Sequence, residues 1–126
     1  MSIVLAIAAV LAIIYVVPFV VYAGASALGL AEIPAEVSPQ RFLLGVLITK
    51  LGTAVAFVLI LHLGSPAFSV GWLTYSLIWF GMFAASEIGD AVSTRSSWSE
   101  AMLGVLSEVI YAPAAALAAF AILGIG

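Results

Sequence analysis

The chain has 126 residues, of which 66% are hydrophobic and 7% charged, against about 25% charged in a soluble domain. Short chains bury the smallest share of their surface, so no water-soluble fold of this size could hide that much apolar area, and the expected solvent is lipid. Three Lys and Arg against six Asp and Glu exclude a basic nucleic-acid surface; the lack of cysteine excludes disulfides, iron–sulfur clusters, thiolate metal sites and thiol nucleophiles.

In chain order, the first element is the apolar run 2–30. Its end near Ala25-Ser26-Ala27 resembles a signal-peptidase site, but no Lys or Arg precedes the run. The run is also about twice the usual 7–15 residues of a signal-peptide core, so a retained membrane span is expected. "AEIPAEVSPQR" follows, with Pro34, Pro39 and three charges, and reads as an interfacial loop. The second run, 42–64, carries Lys50 at its middle and His62 at its end. "LGSPA" is a tight turn into the third run, 68–92. "STRSSWS" is a polar turn in which Ser97 or Ser99 caps the fourth, 99–125. Each run meets the roughly 20 helical residues that a ~30 Å hydrocarbon core requires. Continuous rather than alternating apolarity favours helices over a barrel. The expectation is all-α: one transmembrane domain over 1–126, an integral membrane four-helix bundle.

Arg41, Arg95 and Lys50 all lie toward the first and third loops. The positive-inside rule then makes those loops cytoplasmic and both termini external, in a prokaryotic cytoplasmic membrane. Trp72, Tyr75 and Trp98 are expected at the membrane interfaces, and Trp79, Phe80 and Phe83 in packing. Small residues form stripes suited to close helix approach: Gly45, Thr49, Gly52 and Ala56 on the second span, Gly81, Ala85 and Gly89 on the third, Gly104 and an alanine-rich half on the fourth. Pro18 and Pro113 fall inside the first and fourth spans, where each removes an intrahelical hydrogen bond. "RFLLGVLITK" and "EAMLGVLSEV" share LGVL at the start of two helices entering from one side, the pattern a tandem two-helix duplication would leave.

The chemistry concentrates on one group of residues. Lys50 lies nine residues past Arg41, about 13 Å up its helix, and Glu108 ten residues past Trp98, about 15 Å up the fourth. The two fall at nearly one depth, and intramembrane charges face inward and pair, because an unpaired one costs at least ~3 kcal/mol. Glu108 is therefore the expected partner of Lys50, with Glu87 second and Asp90 one turn nearer the interface. Glu100, Gly104, Ser107, Glu108 and Tyr111 share one face of the fourth helix, and Thr49, Ser107 and Tyr111 can satisfy remaining polar groups. Two readings stay open. The group is a titratable cluster whose excess negative charge suits a proton, small cation or small solute, or it is a structural ion pair that fixes helix register.

A lone histidine excludes bis-histidine haem ligation within one chain. No P-loop, HExxH, nucleophile elbow or dinucleotide fingerprint occurs. No enzyme, cofactor or metal is expected. Four helices cannot enclose a wide pore alone, so both readings expect a homo-oligomer or other membrane subunits as partners.

The second half, "WFGMFAASEIGDAVSTRSSWSEAMLGVLSEVIYAPAAALAAFAILG", resembles a prokaryotic family of small four-span membrane proteins of unknown function. The likeness lies in a Trp-x-Gly third helix, a short Arg-containing turn, and a last helix with an aromatic-polar patch ending in small residues. Trp79, Gly81, Arg95 and Tyr111 carry it. The resemblance implies a four-span topology and attaches no activity.

Overall fold

A computed structural model describes residues 2–29, 39–64, 71–94 and 97–125. They form four helices: α1 (Ser2–Ala27), α2 (Pro39–Gly64), α3 (Trp72–Val92) and α4 (Trp98–Leu123). The first two turns expected from sequence, and Arg95, lie outside the described residues. α2 starts three residues before the expected 42, because Pro39 has its φ preset for the first helical position and needs no N–H partner there.

α4 begins with a side-chain N-cap. The Ser97 hydroxyl accepts from the Glu100 backbone N–H at 3.1 Å, and Glu100 brings an acidic side chain to the first turn. The helix ends at Gly124, whose φ of 70° suits glycine, with the Ile125 N–H returning to the Phe120 carbonyl at 2.9 Å. Both α1 and α4 continue through their prolines.

α4 is the central helix: α1 and α3 both pack along it, and α1 also packs along α2. Ala112, Ala115, Ala116 and Ala119 give it a flat seam near its C-terminal end. Ala6, Val10 and Ile14 of α1 recur every four residues and join the same core. α2 reaches α3 through rings: Phe57 meets Tyr75 edge-on at 4.9 Å and Trp79 at 5.2 Å. The Tyr75 hydroxyl donates to the Phe57 carbonyl. Tyr75 is thus a core residue rather than the expected interfacial one, 1% exposed, because that carbonyl satisfies its hydroxyl inside the bundle. Trp79 and Phe83 stack at 5.6 Å as expected of packing residues, and Trp98 is exposed.

Among the described residues three helices, α1, α2 and α4, are long and apolar enough to cross a membrane. Residues 68–70, which open the expected third run, lie outside the described residues, and α3 from Trp72 onward carries Thr74, Ser76, Ser86, Glu87 and Asp90. Large aliphatic side chains cover the outside of all four, from Val4 and Val20 on α1 to Leu47 on α2, Leu77 on α3 and Leu117 on α4.

The small-residue stripes of α2 and α3 do not pack within this chain. Gly45, Gly52, Gly81, Ala85 and Gly89 are exposed, and a Cβ built on any of the four glycines meets nothing within 4 Å. Spacing puts them on common faces, but those faces look away from the bundle, whose interior is filled by rings and alanines instead. Gly104, by contrast, lies at a close approach to Glu87.

Candidate functional site

The helices part at one end. Where the alanine seam stops, the C-terminal half of α1 and the N-terminal halves of α2 and α4 enclose a cavity of about 540 Å³. Its polar wall is Lys50 from α2, Glu87 from α3, and Glu100, Ser107, Glu108 and Tyr111 from α4. Glu100, Gly104, Ser107, Glu108 and Tyr111, placed on one face by spacing alone, all line it. Tyr111 also belongs to the buried core, so its ring forms the floor between the open and the sealed half.

Lys50 is held by that floor. Its Nζ donates to the Tyr111 hydroxyl at 3.2 Å and lies 4.6 Å from the centre of the Tyr111 ring, a cation–π contact. Phe83 braces the ring from α3 at 5.7 Å. Glu108 and Glu87 act on Lys50 electrostatically, but among the described residues no carboxylate oxygen lies within 4.0 Å of Nζ. The direct Lys50–Glu108 ion pair expected from matching depth is therefore not formed. Equal height along two helices fixes one coordinate only, and the Tyr111 ring offers the ammonium a nearer contact.

Glu108 is buried, 3% exposed. Glu87, which lines the same cavity, acts on it electrostatically. Glu108 Oε1 has no hydrogen-bond partner. Glu87 folds over Gly104: a Cβ at residue 104 would sit 2.5 Å from the Glu87 Cδ. The missing side chain is what lets a carboxylate from α3 cross α4 into the cavity. Ser107 turns its hydroxyl to the Leu103 carbonyl at 2.9 Å.

Two expected members lie elsewhere. Thr49 donates to the Gly45 carbonyl on the outer side of α2, in a shallow groove with Arg41 and Phe42. Asp90 does not line the cavity. His62 is exposed near the end of α2. No three His, Asp or Glu side chains converge as a metal-ligand set among the described residues.

Sequence reasoning missed the α1 wall. Tyr15, Pro18, Tyr22 and Ser26 line the cavity, and the Tyr22 hydroxyl donates to the Glu100 carbonyl at 3.2 Å, tying α1 to the start of α4. The signal was present: Tyr15, Tyr22 and Ser26 are spaced by seven and four, one face of an otherwise apolar helix.

Comparison with protein-family models, curated proteins and solved structures gives no match. The likeness to a four-span family stands on Trp79, Gly81, Arg95 and Tyr111 alone.

Proposed function

We propose that this chain is a small polytopic membrane protein that passes a small charged species, a proton, cation or solute, through the Lys50, Glu87 and Glu108 cavity. One observation carries this reading: a carboxylate 3% exposed, with an oxygen lacking any partner, faces a cavity of about 540 Å³. A structural ion pair would close on itself, since an unpaired buried charge is costly. The volume falls in the range of small-molecule sites, roughly 300–1,000 Å³, and exceeds what a bare proton needs.

All four helices span the bilayer in this reading. α3 qualifies despite its composition, because Leu73, Leu77, Ile78, Met82 and Ile88 are exposed while Tyr75, Ser76 and Trp79 are buried. The first and third loops are cytoplasmic and both termini external, in a prokaryotic cytoplasmic membrane. The chain works as an oligomer. A second reading, an accessory subunit without transport, draws support from Gly45, Gly52, Gly81 and Gly89, exposed on faces open to another span.

Flux decides between them. Proteoliposomes with an internal pH dye are assayed for proton entry under an imposed potential, and for uptake of labelled leucine and isoamylamine. Wild-type vesicles are expected to pass at least one of the three above empty vesicles, and Glu108→Gln to abolish it. Vesicles equally tight to all three, with and without the substitution, overturn transport in favour of the accessory subunit.

A further inference from the structure

The cavity wall holds charges of both signs that do not neutralise one another. The Lys50 ammonium has a neutral phenol as its direct partner, at 3.2 Å. Glu108 Oε1 has none, and its residue is 3% exposed. Neither group thus has an opposite charge in direct contact, the arrangement that ordinarily offsets desolvation.

The two signs on the wall narrow what could fill the space. Lys50 reaches the cavity from α2 and Glu108 from α4, with no direct contact between them. Glu100, at the mouth, is exposed. A ligand of one sign answers only one of the two groups. An amine alone would answer Glu108 but add repulsion against Lys50, and a carboxylate alone would do the reverse. A molecule carrying both charges answers both.

We propose that the cavity binds a small zwitterion with an apolar body, the chemical class of the α-amino acids. The ligand ammonium meets the Glu108 and Glu87 carboxyls, and the ligand carboxylate meets Lys50 Nζ. The apolar body rests on Phe19, Phe42 and Leu43, which complete the wall. About 540 Å³ leaves room for a side chain as large as an aromatic ring. Tyr111, already holding Lys50 by its hydroxyl and its ring face, positions the cation without neutralising it.

The inference deepens the transport reading and rests on the same cavity, but it is tested by equilibrium binding alone. Calorimetry on the full chain in mild detergent compares leucine and phenylalanine with their amines, isoamylamine and phenethylamine. It also compares them with their deaminated acids, 4-methylpentanoate and 3-phenylpropionate. At least one amino acid is expected to bind saturably, about tenfold or more tighter than its own amine and acid. Glu108→Gln is expected to weaken that amino acid by about tenfold while leaving the acid unchanged. Lys50→Met should weaken it equally while leaving the amine unchanged.

An amine that binds as tightly as its amino acid overturns the zwitterion site and makes this a cation site. Absence of saturable binding by both amino acids also overturns it. Should a variant elute aggregated, the wild-type ligand series alone decides. Flux without amino-acid binding leaves transport standing and removes this proposal; binding without flux does the opposite.

Discussion

At Gly104 a single hydrogen atom decides where a charge from another helix can go. Any Cβ there would sit 2.5 Å from Glu87 Cδ and 2.7 Å from both its oxygens. The obstructed group is the far end of a flexible side chain, so it can move without disturbing either backbone. Gly104→Ala is therefore expected to change the melting temperature in detergent little, alanine also being about 1 kcal/mol better than glycine in a helix. The same substitution should expel Glu87 from the cavity and weaken ligand binding. Combining it with Glu87→Ala should then cost no more binding than Glu87→Ala alone, because the carboxylate is already gone. A full second loss in the double variant would mean that Gly104 acts independently of Glu87. Tyr75 poses the opposite case, a polar tip deep in an aromatic cluster whose hydroxyl binds the Phe57 carbonyl. Phe120 adds a ring contact at 6.0 Å, so Tyr75→Phe keeps the packing and deletes the hydroxyl with its bond to Phe57. The expected cost is about 1 kcal/mol, within the range for interhelical hydrogen bonds between membrane helices, and is read from unfolding in detergent.

Among the elements, α4 does the most. Its first turn is capped by Ser97, its middle turns Glu108 and Tyr111 to the cavity, and its last turns form the alanine seam. The seam can be tested against its own neighbour. Ala116 is fully buried and Leu117 is 50% exposed. Ala116→Leu should destabilise by about 1–3 kcal/mol through overpacking, while Leu117→Ala should shift unfolding by less than about 0.5 kcal/mol. Equal effects at the two positions would mean the seam does not face α1. Legibility in the sequence follows the same division. The polar face of α4 could be read because five polar or small residues share one stripe of an apolar helix. The glycine stripes of α2 and α3 could be grouped but not aimed, since periodicity defines a face and says nothing of its direction. Tyr75 looked interfacial because tyrosine suits both a wet boundary and a satisfied interior; only the nearby Phe57 carbonyl decides. The contacts of Lys50 were out of reach for a related reason. Depth along a helix is computable from residue number, whereas the direction in which each side chain points, which brought Tyr111 rather than Glu108 to Lys50, is not.

At the scale of the whole molecule, the bundle is divided into a sealed half of alanines and rings and an open half holding the cavity. The division places the cavity mouth at the end where α1 finishes and α2 and α4 begin. A transported solute would enter there, and release on the far side would require the seam between α1 and α4 to part. The chain contains no cysteine, so single cysteines can report this without background labelling. Ser26 is exposed and lines the cavity near the end of α1; Leu63 is exposed near the end of α2, at the opposite face of the bundle; Ala115 is fully buried in the seam. With the first and third loops cytoplasmic, Ser26→Cys should react with a membrane-impermeant maleimide in inside-out vesicles and be protected in intact cells. Leu63→Cys should show the reverse pattern. Ala115→Cys should stay unreactive from both sides while the seam is closed, because no reagent reaches a fully buried side chain. Labelling of Ser26→Cys in intact cells, with Leu63→Cys protected, would invert the orientation argued from Arg41, Lys50 and Arg95. Labelling of Ala115→Cys from the external side, increased by the amino acid that binds the cavity, would show the seam opening as transport requires.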